Sequence, residues 1–152
     1  MADWLDDLVL KTQQQFEIQR AENAKLLKLE GHRRTLANTY FDDLKGWLRE
    51  NTFKFNQRIE QEVFSVREDR PPNMFILSSR PDLKHIWTAT ITYTAHAHTI
   101  EIDRSSSRKI SYTLDLTTDG NDVVALGGSA VMDGGLSVEL LGQEIIRSML
   151  PH

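Results

Sequence analysis

Arg70-Pro71-Pro72-Asn73 separates two kinds of sequence. Before it, apolar residues recur every three or four positions, the period of one face of a helix; after it they alternate, the period of one face of a strand. Strand-like runs that follow one another without helical stretches between them pair antiparallel, because parallel pairing needs a crossover connection. The expected fold class is therefore α+β: an N-terminal helical hairpin packed on a C-terminal antiparallel β-meander of about four to five strands, closed by a C-terminal helix.

Upstream of the prolines, Leu36, Tyr40, Leu44, Trp47 or Leu48, Asn51, Phe55, Ile59 and Val63 predict a helix with one buried face. Gly46 and Asn51-Thr52 weaken it, and Thr52 reads as a kink or as the cap of a separate helix. Further upstream, Leu5, Leu8, Val9, Thr12 and Phe16 form a stripe that fades through Gln19 and Asn23 and returns at Leu26, Leu27 and Leu29. Gly31 is the natural stop of this first helix, with Lys25 and Lys28 complementing its dipole, so that two helices joined by a short link form a hairpin.

Downstream, Met74 to Leu77 predicts a short strand ended by a turn at Pro81. From Ile86 to His98, Trp87, Ala89, Ile91, Tyr93, Ala95 and Ala97 alternate with threonines and His96, a sheet with one dry face and one threonine ladder. Ile100 and Ile102 then take the parity that threonine held, which requires a bulge or turn between about Ala95 and Thr99. Arg104-Ser105-Ser106-Ser107-Arg108 reads as a hairpin loop, Ile110 to Leu116 as the return strand, Thr118-Asp119-Gly120-Asn121-Asp122 as a further turn, and Val123 to Leu126 as a short strand. Gly127-Gly128 and Asp133-Gly134-Gly135 bracket Ser129 to Met132. Ser137 caps a last helix whose Val138, Leu141, Ile145 and Met149 share a face. The 152 residues suit a single domain in which residues 1–70 are helical, residues 71–136 form the sheet and residues 137–150 the C-terminal helix.

Composition bounds the function more than it selects one. The net charge of −4 divides as −1 before Pro71 (12 basic, 13 acidic) and −3 from it onward (6 basic, 9 acidic), so neither stretch has the basic excess that attracts nucleic acid. Cysteine is absent, which excludes disulfides, thiolate metal sites and cysteine nucleophiles. Three aspartates among the first ten residues are unlike a secretory signal, and no apolar run is long enough to span a membrane, so the expectation is a cytoplasmic protein with no membrane partner.

Among candidate sites, His96-Ala97-His98 is the sharpest chemically. Two imidazoles at alternate strand positions point to one side and can share a metal, with a third ligand to come from His85, Glu101, Asp103 or Asp115. The glycine pairs near Gly127 and Gly134 lack the lysine and spacing of a phosphate loop and read as turns with positive φ. His32-Arg33-Arg34, with Lys25 and Lys28, reads as a solvated helix end. The paired carboxylates Asp42-Asp43, Glu60 with Glu62, and Asp119 with Asp122 do not face each other, and Ser105-Ser106-Ser107 lacks the frame of a nucleophile elbow. No residue is assigned a catalytic role and no cofactor is expected; the reading favours a non-enzymatic protein.

The layout of helices, meander and closing helix is similar in outline to small adaptor and secretion-chaperone-like domains, a likeness of fold that carries no site. The first functional expectation is a protein-protein interaction module, adaptor or chaperone-like, that docks on another chain or on a second copy through its N-terminal helix. The alternative is a small-ligand or metal-binding protein with a pocket between sheet and helices near Trp87, Tyr93 and Tyr112, and with His96 and His98 at its mouth.

Overall fold

The computed structural model describes residues 3–68, 71–82, 84–105, 108–117, 121–127 and 135–151. One long helix, α1 (Asp3–Ile59), is followed by six strands, β1 (Phe64–Arg67), β2 (Met74–Ser79), β3 (Trp87–Thr94), β4 (Thr99–Arg104), β5 (Ile110–Leu116) and β6 (Val123–Gly127), and by a helix α2 (Val138–Ser148). The class is α+β. By their contacts the residues fall into two units, Met1–Arg33 and Arg34–His152.

In the second unit the six strands form a single antiparallel sheet in chain order. Its inner face carries Phe75 and Leu77 of β2, Ala89, Ile91 and Tyr93 of β3, Ile100 and Ile102 of β4, Tyr112 and Leu114 of β5, and Val123 and Ala125 of β6, all buried. Ala37, Tyr40, Phe41, Leu44 and Leu48 of α1, with Leu141, Ile145 and Met149 at the other end of the chain, complete the same core. Side chains at one strand parity and at helical spacing thus share one dry interior, the source of most of the folding free energy.

Specific polar contacts fix the elements around that core. Ser137 caps α2, its side chain accepting from the Leu140 N–H. The buried Ser79 hydroxyl donates to the Met149 carbonyl at 2.7 Å, tying β2 to the end of α2. The Tyr40 hydroxyl donates to the Leu136 carbonyl at 3.0 Å. Leu136 exchanges two 2.8 Å backbone hydrogen bonds with Ala125, which covers a stretch of the β6 edge. Gly142 lies against the indole of Trp47 so closely that a Cβ there would sit 2.3 Å from Cε3.

Four sequence expectations are corrected. The N-terminal hairpin is one uninterrupted helix: Gly31 lies inside α1, and a Cβ added to it would meet nothing within 4 Å. One glycine costs a helix only about 1 kcal/mol, and neither a proline nor a left-handed residue stands beside it to complete a stop. Thr52 is likewise no cap or break. Its buried hydroxyl bonds back to the Leu48 carbonyl at 2.6 Å within the helix.

The sheet has six strands rather than four to five, because β1 lies within the stretch 1–70 expected to be helical. Asn56 makes that change of direction. Its Oδ1 accepts from the N–H groups of Val63 at 3.0 Å and Phe64 at 2.9 Å, while its Nδ2 donates to the Phe64 carbonyl at 2.8 Å. Glu60 adopts a left-handed φ of 58°, ending α1 before Val63 and leaving Ile59 exposed. The strand expected from Ile86 to His98 stops at Thr94, and Ala95 to His98 form the turn that the change of parity required.

Candidate functional site

The two histidines singled out from the sequence both lie in the β3–β4 turn. His98 is buried with a left-handed φ of 50°, its N–H donating to the Ala95 carbonyl at 3.3 Å and its own carbonyl accepting from Leu114 at 2.7 Å. His96 is exposed. The turn replaces the alternate strand positions that would have set both imidazoles on one side. Of the candidate third ligands, Glu101 is ion-paired with Lys109 at 2.9 Å and His85 bonds to Asp82 at 2.6 Å. Among the described residues, no group of three or more histidines and carboxylates is arranged to hold a metal ion.

Beside this turn lies an open cleft of about 610 Å³ between α1 and the sheet, its walls including Phe41, Asp42, Asn73, Tyr93 and His96. Tyr93 and Phe41 stack with ring centroids 5.5 Å apart. The buried Tyr93 hydroxyl has no hydrogen-bond partner among the described residues, and burial raises its pKa. Of the aromatics expected around a pocket, only Tyr93 lines this cleft. The Tyr112 hydroxyl instead donates to Glu144 at 3.2 Å, and burial together with that carboxylate pushes it up to about 12.

The first unit has a different character. From Asp3 to Arg33 the chain is helical, and its side chains are exposed apart from a few that are partly covered, such as Thr12. Leu5, Leu8, Leu26 and Leu29 are 48%, 53%, 63% and 52% exposed, and Trp4, Val9, Leu10, Phe16, Ile18 and Leu27 are exposed as well. A helix bearing this many uncovered apolar side chains has no core of its own among the described residues. The acidic Asp3 and Asp6 occupy its first turn, where they complement the dipole.

The other sequence candidates take plain structural roles. Lys25, Lys28 and His32-Arg33-Arg34 sit within α1 rather than at a helix end. Gly127 and Gly135 take positive φ values of 119° and 76°, the turn geometry expected of them, while Gly128 to Gly134 lie outside the described residues, as do Ser106, Ser107, Asp119 and Gly120. Sequence reasoning missed a second cleft of about 540 Å³ along the short edge strand β1, between Phe64, Arg67, Arg80 and Ile86. Its only signal was Phe64 and Val66 at strand spacing. No described helix is long and apolar enough to cross a membrane. Comparison with protein-family models, with curated proteins and with solved structures finds no match to this chain.

Proposed function

We propose that this protein is a non-enzymatic interaction module whose docking surface is the helical segment 3–33. The observation that carries the reading is the exposed apolar side chains of that segment, from Trp4 to Leu29. Isolated helices are marginal in water and draw most of their stability from packing an apolar face, so a segment that exposes leucine, phenylalanine and tryptophan is completed by another chain. Amide hydrogen exchange tests this on the full chain, both purified and in an extract of its native host. The expected result is slow exchange over residues 3–33 in at least one setting, lost when Leu8 and Leu26 are both changed to glutamate. Fast exchange in both settings, indifferent to those changes, overturns the reading.

The second reading is a small-ligand or metal site in the cleft beside Tyr93 and His96. The unpartnered Tyr93 hydroxyl favours it, because a buried polar group without a hydrogen bond is costly and a ligand would relieve the cost. Elemental analysis and ligand screening, repeated after His96→Ala with His98→Ala, test it. Metal or ligand bound in stoichiometric amount and lost with the histidines supports it, and indifference removes it.

A further inference from the structure

Resting on the docking reading of residues 3–33, we infer that the partner of this segment is a second copy of itself, laid antiparallel with residue 17 at the twofold axis. Leu5, Leu8, Thr12, Gln15, Gln19, Glu22, Leu26 and Leu29 advance by alternating steps of three and four, the seam of a two-stranded coil. The seam is symmetric about residue 17. Leu5 and Leu29 lie twelve residues to either side of it, Leu8 and Leu26 nine, Thr12 and Glu22 five, and Gln15 and Gln19 two. In an antiparallel pair each of these faces its mirror, so leucine meets leucine at both ends and polar residues meet polar residues in the middle. Phe16 and Ile18 flank the axis, each beside its counterpart in the other copy.

Polar layers weaken such a coil and fix its register, which here holds the leucine layers in step. An unrelated partner would have to reproduce this mirrored order; a second copy supplies it by symmetry.

Charge selects the direction. Asp3, Asp6 and Asp7 place three negative side chains at one end of the segment, whereas Lys25, Lys28 and Arg33 outweigh Glu30 at the other. Antiparallel pairing sets the acidic end along the basic end twice, and parallel pairing sets like on like at both ends. The leucine layers alone permit either direction, so the segregated charge decides between them.

The cysteine-free sequence lets single labels be placed cleanly on the outer side of this coil. Sedimentation equilibrium of the full chain gives its mass, and pulsed dipolar spectroscopy of nitroxide-labelled Glu17→Cys, Ala24→Cys and Gly31→Cys gives the direction. A dimer is expected, with spin labels offset along the axis by about 0, 21 and 42 Å at these three sites, from a rise of about 1.5 Å per residue counted twice. Raising salt to screen the ends should weaken association about tenfold. Equal separations at all three sites, or association indifferent to salt, overturn the antiparallel assignment. A monomer without dipolar signal overturns the second copy. In that case slow exchange of the segment in host extract leaves the docking reading standing with another partner, and fast exchange there removes both.

Discussion

Changing Gly142 to alanine should destabilise the protein, although alanine is the better helix former. At an open helical glycine the substitution gains about 1 kcal/mol. Gly31 is such a site, since its added Cβ would meet nothing within 4 Å. At Gly142 the same Cβ would lie 2.3 Å and 2.4 Å from Cε3 and Cζ3 of Trp47. Ordinary carbon contacts are about 3.5–4.0 Å, so the indole must withdraw by more than about 1 Å.

Overpacking of this kind costs about 1–3 kcal/mol. An indole covers about 200 Å², and losing a third of that contact at about 25 cal/mol per Å² adds about 1.5 kcal/mol. Against the propensity gain the net loss is about 1.5–3.5 kcal/mol. Urea unfolding followed by tryptophan fluorescence measures it, with Gly31→Ala and the pair Gly142→Ala with Trp47→Leu alongside. Gly142→Ala alone should lower the midpoint, and shrinking Trp47 should recover some of the loss relative to Trp47→Leu. A midpoint raised by Gly142→Ala would refute the close approach of α2 to Trp47.

Three further outcomes follow from the polar contacts. Ser79→Ala removes the buried donor to the Met149 carbonyl and should cost about 1–3 kcal/mol in the same urea assay, with fraying of the end of α2 visible by hydrogen exchange. Asn56→Ala removes the three side-chain bonds that help turn the chain from α1 into β1; the amides of Val63 and Phe64 should then exchange much faster while those of β4 do not. Asp82 is held down to about 2 by its side-chain bond to His85 and by the backbone N–H groups of His85 and Lys84. A depressed carboxylate contributes stability above its unfolded value near 4, which is lost as pH falls through about 2. Carboxyl NMR should place its midpoint there, and a midpoint near 4 would contradict the turn geometry.

How much of this was legible in the sequence varied with the kind of signal. The β3 alternation and the Ser137 cap were readable because a period of two and a serine before an apolar stripe are local facts. The shift of parity at Ile100 foretold the turn at Ala95 to His98. Gly31 was ambiguous, since glycine serves equally as a helix stop or as a tolerated interior residue, and only the backbone decides. Strand β1 was hidden because Val63 continues the helical spacing of Phe55 and Ile59; the side chain of Asn56, eight residues upstream of Phe64, overrides that spacing by tertiary hydrogen bonds. The spacing of His96 and His98 alone implies a strand geometry, and the turn sets the two residues in different surroundings, His96 exposed and His98 buried. The N-terminal stripe was visible, but its exposure was not, because a periodic pattern does not say whether anything lies against it.

The central claim is that residues 3–33 draw their helical stability from a second copy of the chain while the core of residues 34–152 stands without it. Far-ultraviolet ellipticity over about three decades of dilution, with near-ultraviolet ellipticity recorded in parallel, tests it most directly. The account predicts that helical signal falls on dilution while the near-ultraviolet signal of the buried aromatic core holds. Helical content unchanged at every concentration would contradict it.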